Sequence, residues 1–177
     1  MKKQIETHFP IVVTNGCLQT VSEIEFGISE PEADKGGRCI IVAKEGADFE
    51  VENSTQKKIQ FWAIDDCTFF SKDKEKRCDF AVFDDKTFAF AEIKRSKMKN
   101  RQQKRSEAVL QLSNILTVCK SKLDFQNYNL LAIKALTFQK SYPLARTGNQ
   151  DAVLAFRNKF KAELLEGNSI TFPFEDK

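Results

Sequence analysis

Histidine is nearly absent from this chain, with one in 177 residues, and its five cysteines (Cys17, Cys39, Cys67, Cys78, Cys119) are odd in number, widely spaced and never arranged as CxxC. That excludes a zinc site built on Cys and His and predicts no disulfide framework, which points to a reducing, cytoplasmic setting. Long apolar runs are missing too. The opening MKKQIETHFP places Glu6, Thr7 and His8 where a secretory leader needs its apolar segment, and no stretch reaches membrane-spanning length. The expectation is a chain without leader or membrane partner. Tryptophan (one) and tyrosine (two) are scarce beside sixteen phenylalanines, which are read as core filler and not as a base-stacking surface.

What is present is globular: 41% hydrophobic and 30% charged residues, in a length that buries a sizeable core without crosslinks. No repeat, linker or low-complexity segment divides it, so a single domain over 1–177 is expected. Residues 1–57 read as a β-rich N-terminal extension, a meander with FPIVV (9–13), RCIIVA (38–43) and DFEVE (48–52) as strands. A core follows over 58–138. It has a long strand KIQFWAIDDCTFF (58–70), then CDFAVF and TFAFAEIK joined by a turn at Asp84-Asp85-Lys86, a helix over 101–120 and the strand NLLAIKALTF (129–138). On that helix Ala108, Leu112, Ile115, Leu116 and Cys119 share a stripe. Residues 139–177 add a helix over 150–165, with Val153, Phe156, Phe160 and Leu164 inward and Gly167 as its stop, and a closing strand SITFPF. The fold class is α/β (α+β), a mixed central sheet flanked by helices.

Within RCDFAVFDDKTFAFAEIK (77–94), three charged residues, Asp79, Glu92 and Lys94, are written into strands that otherwise look buried. Charges are seldom buried unless paired or bound to a metal. Strand alternation puts Glu92 and Lys94 on one face, about 7 Å apart. A turn of two residues would set Asp79 diagonal to Glu92 and a turn of four would set it directly opposite, whereas a turn of three would send it to the other face. Two facing carboxylates repel, so something positive should join them. Lys94 is one candidate. A divalent cation is the other, and oxygen-only ligands suit Mg²⁺ or Mn²⁺. In the plainer reading Asp79 and Lys94 mark strand ends at solvent and Glu92 pairs with a neighbouring base.

An acid on the first strand of a hairpin, Glu-x-Lys on the apolar second strand, then a helix and another strand: over residues 58–138 this resembles the core of the PD-(D/E)XK nuclease superfamily, with its restriction-endonuclease-like fold. The resemblance implies Asp79, Glu92 and the carbonyl of Ile93 as metal ligands and Lys94 as the catalytic lysine. Cys78 stands where the family's name has proline. Many members carry a further acid upstream, for which Glu23 and Glu25 are the nearest candidates. The acid-x-Lys triplet recurs at 84–86 and 175–177, but only Glu92-Ile93-Lys94 lies in an apolar strand with an acid on its hairpin partner.

Residues 94–105, KRSKMKNRQQKR, hold seven Lys or Arg and no acid, so the rest of a chain of net charge +3 carries −4. Arg95, Lys97, Lys99, Arg101, Lys104 and Arg105 are therefore candidate contacts to nucleic-acid phosphates, which position a strand without reading its sequence. A solvated helix start is the ordinary alternative. Gln111 flanks the apolar stripe and is a candidate accessory residue or a boundary one. His8 is read as surface, and Asp65-Asp66 as a turn that could lend a ligand.

These signals lead to a metal-dependent nuclease acting on DNA ahead of RNA, with nucleic acid as partner. The alternatives are an inactive nuclease fold that binds nucleic acid or a protein, and an interaction protein such as an inhibitor. A protein partner or a homodimer fits any of the three.

Overall fold

The computed structural model describes residues 1–31, 37–70, 77–95, 101–137, 145–146 and 150–174. In chain order its elements are α1 (Lys2–His8), α2 (Ile11–Thr14), β1 (Leu18–Val21), β2 (Glu25–Ser29), β3 (Ile40–Val42), β4 (Phe49–Glu52), β5 (Ile59–Ala63), β6 (Phe80–Phe83) and β7 (Thr87–Arg95). Then come α3 (Arg101–Lys120), β8 (Asn129–Thr137), β9 (Ala145–Arg146), α4 (Gln150–Phe160), β10 (Glu163–Glu166) and β11 (Ser169–Thr171). The strands form two mixed sheets, one of seven in the order β1-β5-β6-β7-β8-β10-β9 and one of four in the order β11-β4-β2-β3. The mixed α/β class matches the sequence expectation.

The middle of the large sheet explains the apolar runs. All of β6 and the first seven residues of β7 are buried, as strands covered on both faces must be. Each Phe hidden there contributes about 1.5–3 kcal/mol of transfer free energy. α3 begins and ends where its periodicity predicted, with Ala108, Leu112, Ile115, Leu116 and Cys119 all buried. The two sheets share one core, in which Phe49 of β4 meets Phe80 of β6 edge-on at 5.3 Å. Gly27 of β2 is where the β3–β4 turn crosses the small sheet. A Cβ there would lie 2.4 Å from Cβ of Ala47 and 2.6 Å from the carbonyl of Ala43, so only glycine fits.

Four expectations are corrected. FPIVV is not a strand: Pro10 (φ −59°) caps α2, and Ile5, Phe9 and Val12 turn inward, with Phe9 5.5 Å from the Trp62 ring. The long strand over 58–70 stops at Ala63, because residues 64–69 turn, with Asp66 at φ 50° and the N–H groups of Thr68 and Phe69 donating to the carbonyl of Ile64. The helix over 150–165 ends at Phe160: Lys161 takes φ 50°, and residues 163–166 become β10, with Leu164 level with Ala132 on β8. Lastly, Cys17 and Cys67 form a disulfide across 50 residues. Pairing of β1 with β5 brings the turn before one strand beside the turn after the other. The argument for a reducing compartment thereby loses its premise. No helix among the described residues is long and apolar enough to cross a membrane.

Candidate functional site

By register the hairpin loop is four residues, 84–87, since Phe83 pairs with Phe88; Thr87, the last of them, belongs to β7 through its pairing with Asn129 of β8. Asp84 makes this loop: its Oδ1 accepts the N–H groups of Lys86 (2.8 Å) and Thr87 (2.7 Å), an Asx turn. From that register, Phe80 opposite Ala91, Asp79 falls directly opposite Glu92 one step beyond the ladder. On the β6 side, where the ladder has ended, the N–H of Ile93 donates to Oδ2 of Asp79 at 2.6 Å. A strand residue's N–H and C=O project to the same side, so the carbonyl of Ile93 faces Asp79 as well. On β7, Lys94 Nζ forms an ion pair with Oε1 of Glu92.

Burial dominates the electrostatics. Asp79 is 7% exposed and Glu92 fully buried. Burial pushes Asp79 up to about 7, and the charge of Glu30 adds to it, while Lys94 and the Ile93 N–H pull the other way. Glu92 is raised well above the carboxylate range, by burial first and by Asp79 next, against the pull of Lys94. For Lys94, burial works to lower its pKa and is outweighed by Glu92, so the ammonium is held. One lysine is too little for two buried carboxyls, and Oε2 of Glu92 is buried with no hydrogen-bond partner.

Several elements hold this hairpin. The carbonyl of Asp79 accepts from the N–H groups of Ile64 (2.9 Å) and Asp65 (3.2 Å) in the 64–69 turn, so Asp65-Asp66 serve the turn expected of them. Gln111 of α3 reaches back to the chain just before Asp79, donating from Nε2 to the carbonyl of Arg77 at 2.9 Å.

Neither Glu23 nor Glu25 comes to the site. Glu23 accepts from the N–H of Ser22, and Glu25 pairs with Lys44 at 2.9 Å on the surface. Two upstream acids do act there: Glu30, just past β2, whose charge bears on both Asp79 and Lys94, and Asp65, whose charge raises Asp79 and Glu92. Burial raises the carboxyl of Glu30 itself, with Arg95 and Lys94 opposing. Glu30 had no periodic signal, standing in the polar stretch SEPEADKGG. Only the small sheet carries it across. Among the described residues no three His, Cys, Asp or Glu side chains come together as a metal-holding group; Asp79 and Glu92 face each other as a pair.

The basic run is partly engaged in the fold. Arg95 donates to Asp48 (3.0 and 2.5 Å) and to the carbonyls of Glu30 and Pro31, tying β7 to the small sheet beside Glu30. Lys104 pairs with Glu107 at 2.8 Å and Arg105 with Glu166 at 2.6 Å. Lys97 and Lys99 lie outside the described residues, as does the side chain of Arg101 at the start of α3. His8 is exposed at the end of α1. Comparison with known protein families, with curated proteins and with solved structures finds no match for this chain.

Proposed function

We propose that this chain is a metal-dependent, nuclease-like protein with a restriction-endonuclease-like core, hydrolysing phosphodiester bonds in nucleic acid, DNA ahead of RNA. The observation that carries the reading is Oε2 of Glu92, a buried carboxylate oxygen without a hydrogen bond, directly across from Asp79. Leaving such an atom unsatisfied is costly, and a cation resolves both that cost and the repulsion. Asp79, Glu92 and the Ile93 carbonyl would hold Mg²⁺ or Mn²⁺, which when bound supplies Lewis-acid polarisation of a phosphoryl oxygen.

The chain's own groups divide the remaining work. Lys94, with 17% of its side chain exposed against none for Glu92, is the member of the pair that meets solvent and substrate. Its ammonium orients the attacking water and stabilises charge that builds on the phosphate. The Ile93 N–H fixes the Asp79 carboxylate, and Gln111 fixes the chain leading to it.

The test is calorimetric titration of Mg²⁺ and Mn²⁺ into wild type and Glu92→Ala, with cleavage of DNA and RNA run alongside. Binding lost in the variant, together with wild-type cleavage, supports the reading. Absence of binding in both sinks it. A second reading, a nuclease fold that binds nucleic acid without cutting, is favoured by the absence of a third metal-holding side chain among the described residues. It requires Asp79→Ala and Glu92→Ala to bind nucleic acid as wild type does, with no cleavage by any of the three.

A further inference from the structure

The row that begins at Asp79 and Glu92 continues across the sheet. Glu92 is level with Lys134 on β8, and Lys134 with Glu166 on β10. Two strand spacings, about 10 Å, separate Glu92 from Glu166. Lys134 donates to Oε2 of Glu166 at 3.2 Å, while Arg105 of α3 grips the same carboxylate through Nε (2.9 Å) and Nη2 (2.6 Å).

Lys134 is 4% exposed and Glu166 9%, yet both line a cleft of about 880 Å³ between α3 and the start of α4. Burying such ions is expensive, and well-packed apolar side chains would hold the sheet as firmly. Their presence beneath an open cleft calls for a reason outside stability. The balance of charge suggests one: two cations here converge on one carboxylate, the reverse of the balance at Asp79 and Glu92. The cleft also has an apolar wall, Val109 and Leu164, and hydrogen-bonding groups from Gln102, Ser106 and Gln150. Its size is that of a small-molecule site. Asp151, exposed in the first turn of α4, makes one edge negative and so directs an anion toward Arg105.

We propose that this cleft is a nucleotide subsite, taking one nucleoside monophosphate unit with its phosphate toward Arg105 and Lys134 and its base against Val109 and Leu164. The placement beside Asp79 and Glu92 rests on the nuclease reading: the unit bound is a near neighbour of the phosphodiester presented to the carboxylates. Arg105 thus acts as a phosphate contact oriented by Glu166.

The test uses metal-free protein, so that nothing is cut. Thymidine 5′-monophosphate, inorganic phosphate and a short single-stranded oligonucleotide with either a 5′-phosphate or a 5′-hydroxyl are titrated by calorimetry. The proteins are wild type, Arg105→Gln, Asp79→Asn and Ala152→Trp; Ala152 is exposed at the cleft, so the indole fills the space without touching the core. The expected result is mononucleotide binding weakened about tenfold or more by Ala152→Trp and by Arg105→Gln, and unchanged by Asp79→Asn. A 5′-phosphate that strengthens oligonucleotide binding assigns the cleft to a strand end, and equal binding assigns it to an internal nucleotide. Mononucleotide binding that is absent, or indifferent to Ala152→Trp, overturns the proposal. If wild type cuts long DNA but ignores the mononucleotide, the subsite falls and the nuclease reading stands. If the mononucleotide binds in the cleft but no metal-dependent cutting occurs, the reverse holds.

Discussion

Two charged clusters lie side by side in one row of the large sheet, and they are balanced in opposite ways. At Asp79, Glu92 and Lys94, two buried carboxyls share one cation, both acids are raised, and one oxygen is orphaned. At Arg105, Lys134 and Glu166, two cations share one carboxylate. There burial acts to raise Glu166, but Arg105 and Lys134 outweigh it and the acid is held below its ordinary value. Burial is common to both, so it is the count of charges that decides whether the acids are raised or lowered.

The comparison breaks most visibly if one carboxylate is removed from each. Glu166→Ala leaves Lys134 buried beside Arg105 with their common acid gone, and is expected to cost about 3–5 kcal/mol in urea unfolding. Glu92→Gln relieves a repulsion and should leave the metal-free protein as stable or more so. Equal losses in both variants would mean that the balance of charge does not matter.

The next effect is one of pH. Burial raises Asp79 to about 7 in the folded chain, against an ordinary value near 3.8 when unfolded. Between those values the folded state binds the extra proton, so the stability it contributes is fully present below about pH 4 and is lost as pH rises through 7. In the metal-free protein the loss reaches roughly 4 kcal/mol at most. Denaturation midpoints measured from pH 4 to 8 should fall for wild type and fall less for Asp79→Asn, in which the raised Glu92 still acts in the same direction; parallel curves would refute the assignment. A smaller loss, about 1–2 kcal/mol, is expected for Gln111→Leu, which removes the Nε2 donor to the Arg77 carbonyl. Thermal melting reads it, and cleavage should fall without any change in metal-free oligonucleotide affinity. Smallest is Lys104→Ala, with little or no loss of stability for an exposed pair, and a decrease of about one in the salt dependence of nucleic-acid binding if Lys104 meets a phosphate. An unaltered salt slope would confine Lys104 to its pair with Glu107.

Much of the frame could be read from the chain because it is local. α3 keeps one apolar stripe from Ala108 to Cys119, and Asp84 supplies the turn that sets Asp79 opposite Glu92. What escaped was decided at a distance. Leu164 continues the spacing of Phe156 and Phe160, so a helix through it was the natural expectation. Only pairing with β8 makes it a strand. FPIVV has strand composition but no strand beside it, and its packing against Trp62 rewards a helical turn instead. Glu30 was invisible for the same reason, since its place is set by the small sheet and by Arg95.

That small sheet has a consequence in time. β11 lies parallel to β4, and Thr171 meets Glu52 across 119 positions of chain. Chains emerge from the ribosome N-terminal end first, at roughly 5–20 residues per second. The Asp79–Glu92 hairpin is therefore synthesised well before the strand that completes the sheet leading to Glu30. A nascent chain stalled short of β11 carries the hairpin charges and Glu30 without the edge strand that finishes the small sheet.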